Sequence, residues 1–357
     1  MLISCHVRVW TWILLLAIAQ PAHVRMPLCL RGGTDPNCGP GTAAAASSSM
    51  GIRTINDGGQ WRVIPDNSIE LAKEIFVDAA SGSDEKGSGS ESSPYASIFK
   101  ALSESSAHQV AKIVLSPGIY SGRLNRNIRV RLGAFQRIEI VGSGWGGGGR
   151  RGNDDNESGG GQGNDKDKGK DSKGTTCVDG TGGRVILDVC GVRSGILALR
   201  SLELAGAKTA VRLRENATVE ASRVHLTRCT GGAVRCSGRS RLLLDRCCLE
   251  NNTVTHMPLP EGSRKEPQKL ESLMGSAVFM SDQTMLRSYM CGFLNNGGDD
   301  CAAGGACAVM TRIPEAIPAH CSFFRCVFEG NVAGDAGGGL ALFWGACANI
   351  TEVRPYA

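Results

Sequence analysis

Aromatic residues make up only 5% of this 357-residue chain, and 13 prolines stand against 48 glycines. So few rings and so many glycines point away from a helical bundle and toward many turns. Charge of one sign is also scarce. The formal net charge is +5 and scattered, and no basic stripe is interleaved with aromatics, which argues against a nucleic-acid partner. After the first twenty residues no apolar run approaches the ~18 residues of a membrane helix. The close cysteine spacings are Cys247–Cys248, Cys301–Cys307 and Cys321–Cys326, so the CxxC and Cys/His spacings of a zinc site are missing too. What is present, 41% hydrophobic residues, suffices for one large core or two ordinary ones.

The N-terminus, MLISCHVRVWTWILLLAIAQPAHV, places Arg8 ahead of a short apolar run from Trp12 to Ala19, with Ala17 and Ala19 in the small positions that signal peptidase needs. Residues 1–19 read as a secretion signal, with an uncleaved anchor as the alternative. Its removal takes Cys5 and leaves fourteen of the 15 cysteines, an even number in an oxidising compartment, so disulfides are expected. Residues 20–74 show no sustained period and read as a low-complexity lead-in. From Ile75 the pattern sharpens. In SPYASIFKALSESSA, Tyr95, Ile98, Phe99 and Leu102 form one helical stripe, with Ser93 as N-cap and Pro94 at the first helical position, predicting a helix near residues 94–106. KIVLSPGIYSG from Lys112 and RIEIVGSG from Arg137 read as strands.

The succession VDAASGSD, SPYASIFKAL, IVLSPGIYSG and RIEIVGSG resembles the opening of right-handed parallel β-helix proteins of the pectin lyase-like kind. Downstream FxxN and GGA elements resemble the repeats of polymorphic outer-membrane proteins. The resemblance spans roughly residues 75 to 355. It implies an all-β solenoid whose first coil is plugged by a short helix. Lyases, hydrolases, epimerases and adhesins all share that fold, so it implies no single activity.

The repeat also stands without the family. With Cys229, Cys247, Cys291 and Cys326 in one column, Gly231, Leu249, Phe293 and Phe328 follow two positions on, and Val234, Asn252, Asn296 and Asn331 five positions on. Glycine-plus-small elements at Gly231–Ala233, Gly275–Ala277, Gly304–Ala306 and Gly337–Gly339 each open a short apolar strand. A repeat of this length means stacked coils. Aromatics should pile up inside, Asn should bond exposed backbone at the bend, and glycine should sit where a β-carbon would clash. Two polar insertions interrupt the stack: residues 143–175, read as a disordered surface loop, and residues 253–274.

On that register the row four positions before the cysteines holds His225, Leu243, Arg287 and Ser322, and the row two before holds Thr227, Asp245, Tyr289 and Phe324. Neither stacks two carboxylates or sets His above an acid, so no catalytic residues are assigned. Asp299, Asp300 and Asp335 form the one acidic alignment; they read as a Ca²⁺ corner or as turn formers beside glycine. His225, between Val224 and Leu226, should point outward. The Asp-Pro-His-Asp type of motif expected of alginate epimerases on this fold is absent. Asn156, Asn216, Asn251 and Asn349 lie in sequons and are glycosylation candidates. Stacked cysteines are farther apart than a relaxed disulfide prefers, so pairing should favour Cys301, Cys307 and Cys321, read as loop residues.

The expectation is therefore a secreted or surface β-helix over residues 75–357, a non-catalytic scaffold or binding surface for polysaccharide or another surface component. The alternative is a carbohydrate-active enzyme of lyase, hydrolase or epimerase type. Since LALFWGACANITEVRPYA stays apolar and strand-like up to Val353, the last coil is expected either to continue in a longer chain or to be covered by a partner or a second copy, giving self-association.

Overall fold

The computed structural model describes residues 52–57, 60–65, 73–144, 174–192, 195–255, 274–298, 300–311, 317–352 and 354–356. The chain divides into two units, residues 1–68 and 69–357. The first contains an antiparallel hairpin, Ile52–Asp57 against Gln60–Pro65, inside the segment that the sequence presents as a structureless lead-in. Two six-residue strands, IRTIND and QWRVIP, separated in sequence by two glycines, form it, each too short to show a sustained period. The expected secretion signal, residues 1–19, lies outside the described residues.

The second unit is built of stacked parallel strands in three ladders. The first runs through Lys73–Val77, Val110–Leu115, Arg137–Gly142, Ile196–Ala205, Thr218–Thr227, Arg241–Asp245, Met285–Tyr289, His320–Phe324 and Cys347–Thr351. The second takes Gly118–Tyr120, Thr176–Asp179, the C-terminal ends of Ile196–Ala205 and Thr218–Thr227, then Cys248–Glu250, Gly292–Leu294, Val327–Glu329 and Arg354–Tyr356. The third holds Ile128–Leu132, Val185–Gly191, Thr209–Glu215, Val234–Cys236, Val278–Ser281, Cys307–Met310 and Leu340–Phe343. The chain visits the ladders in that order and then repeats, an arrangement compatible with an all-β solenoid.

Alternation makes the core. Ile138, Leu197, Val219, Leu242, Leu286 and Cys321 stand in one inward column, none more than 2% exposed. Each such aliphatic contributes roughly 1.5–3 kcal/mol by leaving water. Between the first and second ladders each of the last six coils turns through one left-handed residue: Ser201, Arg223, Arg246, Met290, Arg325 and Glu352, with φ between 50° and 53°. At the next bend Asn252, Asn296 and Asn331 stack, as the sequence predicts. Each Nδ2 donates to a carbonyl of the preceding coil, Leu226, Leu249 and Phe293 respectively. Phe293 and Phe328 stack with centroids 4.7 Å apart, the predicted aromatic ladder.

The helix is shorter than its sequence pattern suggests. It spans Ile98–Ser105 and is capped by Ser97, whose Oγ accepts from the Lys100 amide at 3.2 Å, rather than by Ser93. Tyr95 is held extended instead, its amide donating to the Phe76 carbonyl, while Asp84 accepts from the amides of Ala96 and Ser97. Phe99, placed on the apolar stripe by its spacing, is 52% exposed; Ile98, Ala101 and Leu102 face the core.

The eight buried cysteines behave as small apolar residues. All twelve in the described residues carry free thiols. Cys307 and Cys321 are strand residues buried in the core and not loop residues, because each occupies an inward position of an apolar strand. The ends of the first insertion meet: a β-carbon on Gly144 would lie 1.9 Å from the Gly174 carbonyl oxygen. Residues 145–173 and 256–273, which hold the bulk of the two insertions, lie outside the described residues. No helix among the described residues is long and apolar enough to cross a membrane.

Candidate functional site: a groove on the outer face of the first ladder

The coil register corrects the alignment of the first rung. Cys247, Cys291 and Cys326 share a column, but Cys229 does not. His225 stands opposite Cys248, and the Cys229 amide donates to Asn252 Oδ1. Cys229 therefore belongs at the head of the Asn column, the place the sequence register gave to Val234. The coil before Cys247 is longer than the Cys229–Cys247 spacing, and a cysteine-only alignment has no means of showing it.

With the register set, the row that holds Leu243, Arg287 and Ser322 also holds Ala198 and Glu220. The row two positions on reads Arg200, Ser222, Asp245, Tyr289 and Phe324. His225 and Thr227 leave both rows. These side chains line a groove of about 610 Å³ on the outer face. Five coils at the strand spacing give it a length of about 19 Å.

The groove has a charged half and an aromatic half. At the N-terminal end Arg137 Nη2 donates to Glu220 Oε2 at 2.9 Å, and Arg200 pairs with Glu139. Ser222 Oγ donates to Asp245 Oδ2 at 3.1 Å. Toward the C-terminal end Tyr289 and Phe324 stack, centroids 5.3 Å apart and planes 6° from parallel, and the Arg325 guanidinium lies 5.1 Å from the Phe324 centroid. Arg287, exposed between the halves, has no ion-pair partner among the described residues. Such a surface offers a flat apolar face beside alternating donors and acceptors.

The sequence candidates fall elsewhere. Asp300 and Asp335 are both exposed, and they are out of register, since Ala303 pairs with Ala336 and the Asp335 amide donates to the Ala302 carbonyl. Asp299 lies outside the described residues. Asn216, Asn251 and Asn349 are exposed, as a glycan acceptor must be; Asn156 lies outside the described residues. His225 points outward as its neighbours predict, Val224 and Leu226 being 1% and 2% exposed.

No protein-family model matches the sequence, and no curated protein matches it. Among solved structures the chain is similar to one described as Geobacillus virus E2 ORF18, at 11% identity over 87% of this chain and 68% of that one, with a TM-score of 0.25.

Proposed function

We propose that this chain is a secreted or surface-attached right-handed parallel β-helix of the pectin lyase-like kind, its first coil covered by the Ile98–Ser105 helix, and that it binds polysaccharide along the groove without cleaving it. The observation that carries the reading is the Tyr289–Phe324 stack, in the row of Asp245 and beside the row that holds Glu220 and Arg287. Sugar rings present apolar faces and equatorial hydroxyls, and an aromatic platform flanked by charged hydrogen-bonding groups is complementary to both. The carboxylates Glu220 and Asp245 are engaged by Arg137 and Ser222, which suits them to fixed hydrogen bonding.

The test is calorimetry of the purified chain against neutral and acidic polysaccharides. Affinity for at least one of them, weakened roughly tenfold by Tyr289→Ala or Phe324→Ala, is expected; no affinity for any, or affinity indifferent to both substitutions, overturns the reading. Glu220 and Asp245 share one groove, which favours the carbohydrate-active enzyme as the second reading. Release of reducing or unsaturated ends from the bound polymer, lost in Glu220→Gln or Asp245→Asn, would establish it.

A further inference from the structure

Around the bend from the groove, on the outer face of the second ladder, lies a side-chain cluster that polysaccharide binding does not use. His225 and Cys248 are directly opposite on neighbouring strands, and Glu250, two residues beyond Cys248, is opposite Thr227. Val224, Leu226 and Leu249 turn inward, so the alternation of the strands directs His225, Cys248 and Glu250 to one face. Their donor atoms lie within 4.8 Å of one another.

We propose that His225, Cys248 and Glu250 bind a divalent transition-metal ion of the zinc type. An imidazole nitrogen, a thiolate and a carboxylate oxygen are the three donor classes that zinc accepts, and three protein ligands leave one tetrahedral position for water. His225 Nε2 is 3.4 Å from Glu250 Oε2. Two ligands each about 2.0–2.1 Å from a tetrahedral ion are separated by about 3.3 Å, so this edge of the coordination shell is already formed. The contact is not aligned as a hydrogen bond. Nε2 is buried and has no hydrogen-bond partner, although Cys248 and Glu250 stand beside it. An ion between them would satisfy it.

The surroundings fit. Glu203, opposite His225 on the preceding strand, is occupied by Arg228, whose Nη2 lies 3.2 Å from its Oε1. It therefore does not compete for the imidazole. Beyond Cys248 the next outward position is Gly292, which has no side chain, and an added β-carbon there would find its nearest neighbours in the Leu294 side chain, at 3.6 Å or more. Glycine at this position leaves room beside Cys248 for a fourth ligand such as water. Binding exchanges the Cys248 thiol proton, released to solvent, for a metal–sulfur bond.

The test uses the full chain, purified under reductant and titrated with Co²⁺. One equivalent should bind, with a near-ultraviolet thiolate-to-cobalt band and visible bands of four-coordinate intensity, and Zn²⁺ should displace it. Cys248→Ser should abolish the near-ultraviolet band, and His225→Ala and Glu250→Gln should each weaken binding roughly tenfold or more. Cys347→Ser, at an exposed thiol on another ladder, should change nothing. Absence of a one-equivalent complex at micromolar protein overturns the proposal, as does a cobalt–thiolate band that survives in Cys248→Ser. Should that variant not fold, zinc protection of Cys248 from alkylation in the unaltered chain, read by peptide mapping, decides. Protection supports the site; alkylation at the metal-free rate sinks it.

Discussion

Asn296 Nδ2 donates to Asn331 Oδ1 at 2.9 Å while the Asn296 amide donates to the same oxygen at 3.0 Å, so one side-chain carbonyl satisfies two donors of the coil before it. Asn296 Oδ1 in turn accepts from the amide and Nδ2 of Asn252. Asn296 is 1% exposed, and water does not replace these partners. Asn296→Ala is expected to destabilise by about 3 kcal/mol, several lost bonds with buried donors left unpaired. Urea denaturation measures it, and a loss below about 1 kcal/mol would mean that the column is decorative.

The glycines that open the third ladder make a second prediction. Gly304 has φ +66°, and a β-carbon there would lie 2.4 Å from the Cys307 carbonyl oxygen. Gly304→Ala should cost upward of about 2 kcal/mol, since both the backbone conformation and a rigid carbonyl resist it. Gly345→Ala, at a similar φ of +78° but with nothing within 4 Å, carries the backbone cost without the clash and should cost less. Thermal melting of the two variants side by side checks the order.

This much of the fold was legible because it is written in the residue types themselves. An Asn column or a glycine before an apolar strand announces its conformation locally, and Phe293 and Phe328 fall at matching distances from their cysteines. The first rung misled for the opposite reason. Coil length varies, Cys229 resembles the column cysteines, and only the strand pairing shows that it belongs opposite Asn252. That slip placed His225 in a row with Leu243, hiding both Glu220 in the groove and Cys248 beside His225. Reading Cys229 as the Asn column's first member would have aligned all of them. The start of the helix was misjudged because Ser93–Pro94 is a sound local cap, overruled by the pairing of Tyr95 with Phe76.

Burial of thiols gives a pH dependence. Burial pushes the Cys236 thiol up to about 12, and the Cys229 thiol likewise. Both hold their protons in the folded state past the pH at which unfolded cysteine, near ~8.5, has lost its own. Their contribution is complete below about pH 8.5 and declines as pH rises toward 12, by at most about 1.4 kcal/mol per pH unit for each thiol. Urea midpoints of the reduced protein at pH 7, 9 and 10.5 should fall in that order, and Cys236→Ala should flatten the decline. A pH-independent midpoint would contradict the burial.

Deletion of residues 145–173 with Gly144 joined to Gly174 through a short Gly-Ser turn should leave the melting midpoint within a few degrees, because the two ends already touch and loop-closure entropy varies slowly with length. A larger fall would show that the insertion contributes packing.

The left-handed residue that turns each of the last six coils has a further consequence for recognition. Because Ser201, Arg223, Arg246, Met290, Arg325 and Glu352 adopt one conformation, every outward row advances by the same step, the strand spacing of about 4.8 Å. The outer face is thus a ruler. A polymer lying along it presents equivalent groups to successive coils only if its own repeat is commensurate with that step, and one of different pitch drifts out of phase within a few units. Changing a single outward side chain alters one graduation of the scale and leaves its divisions intact.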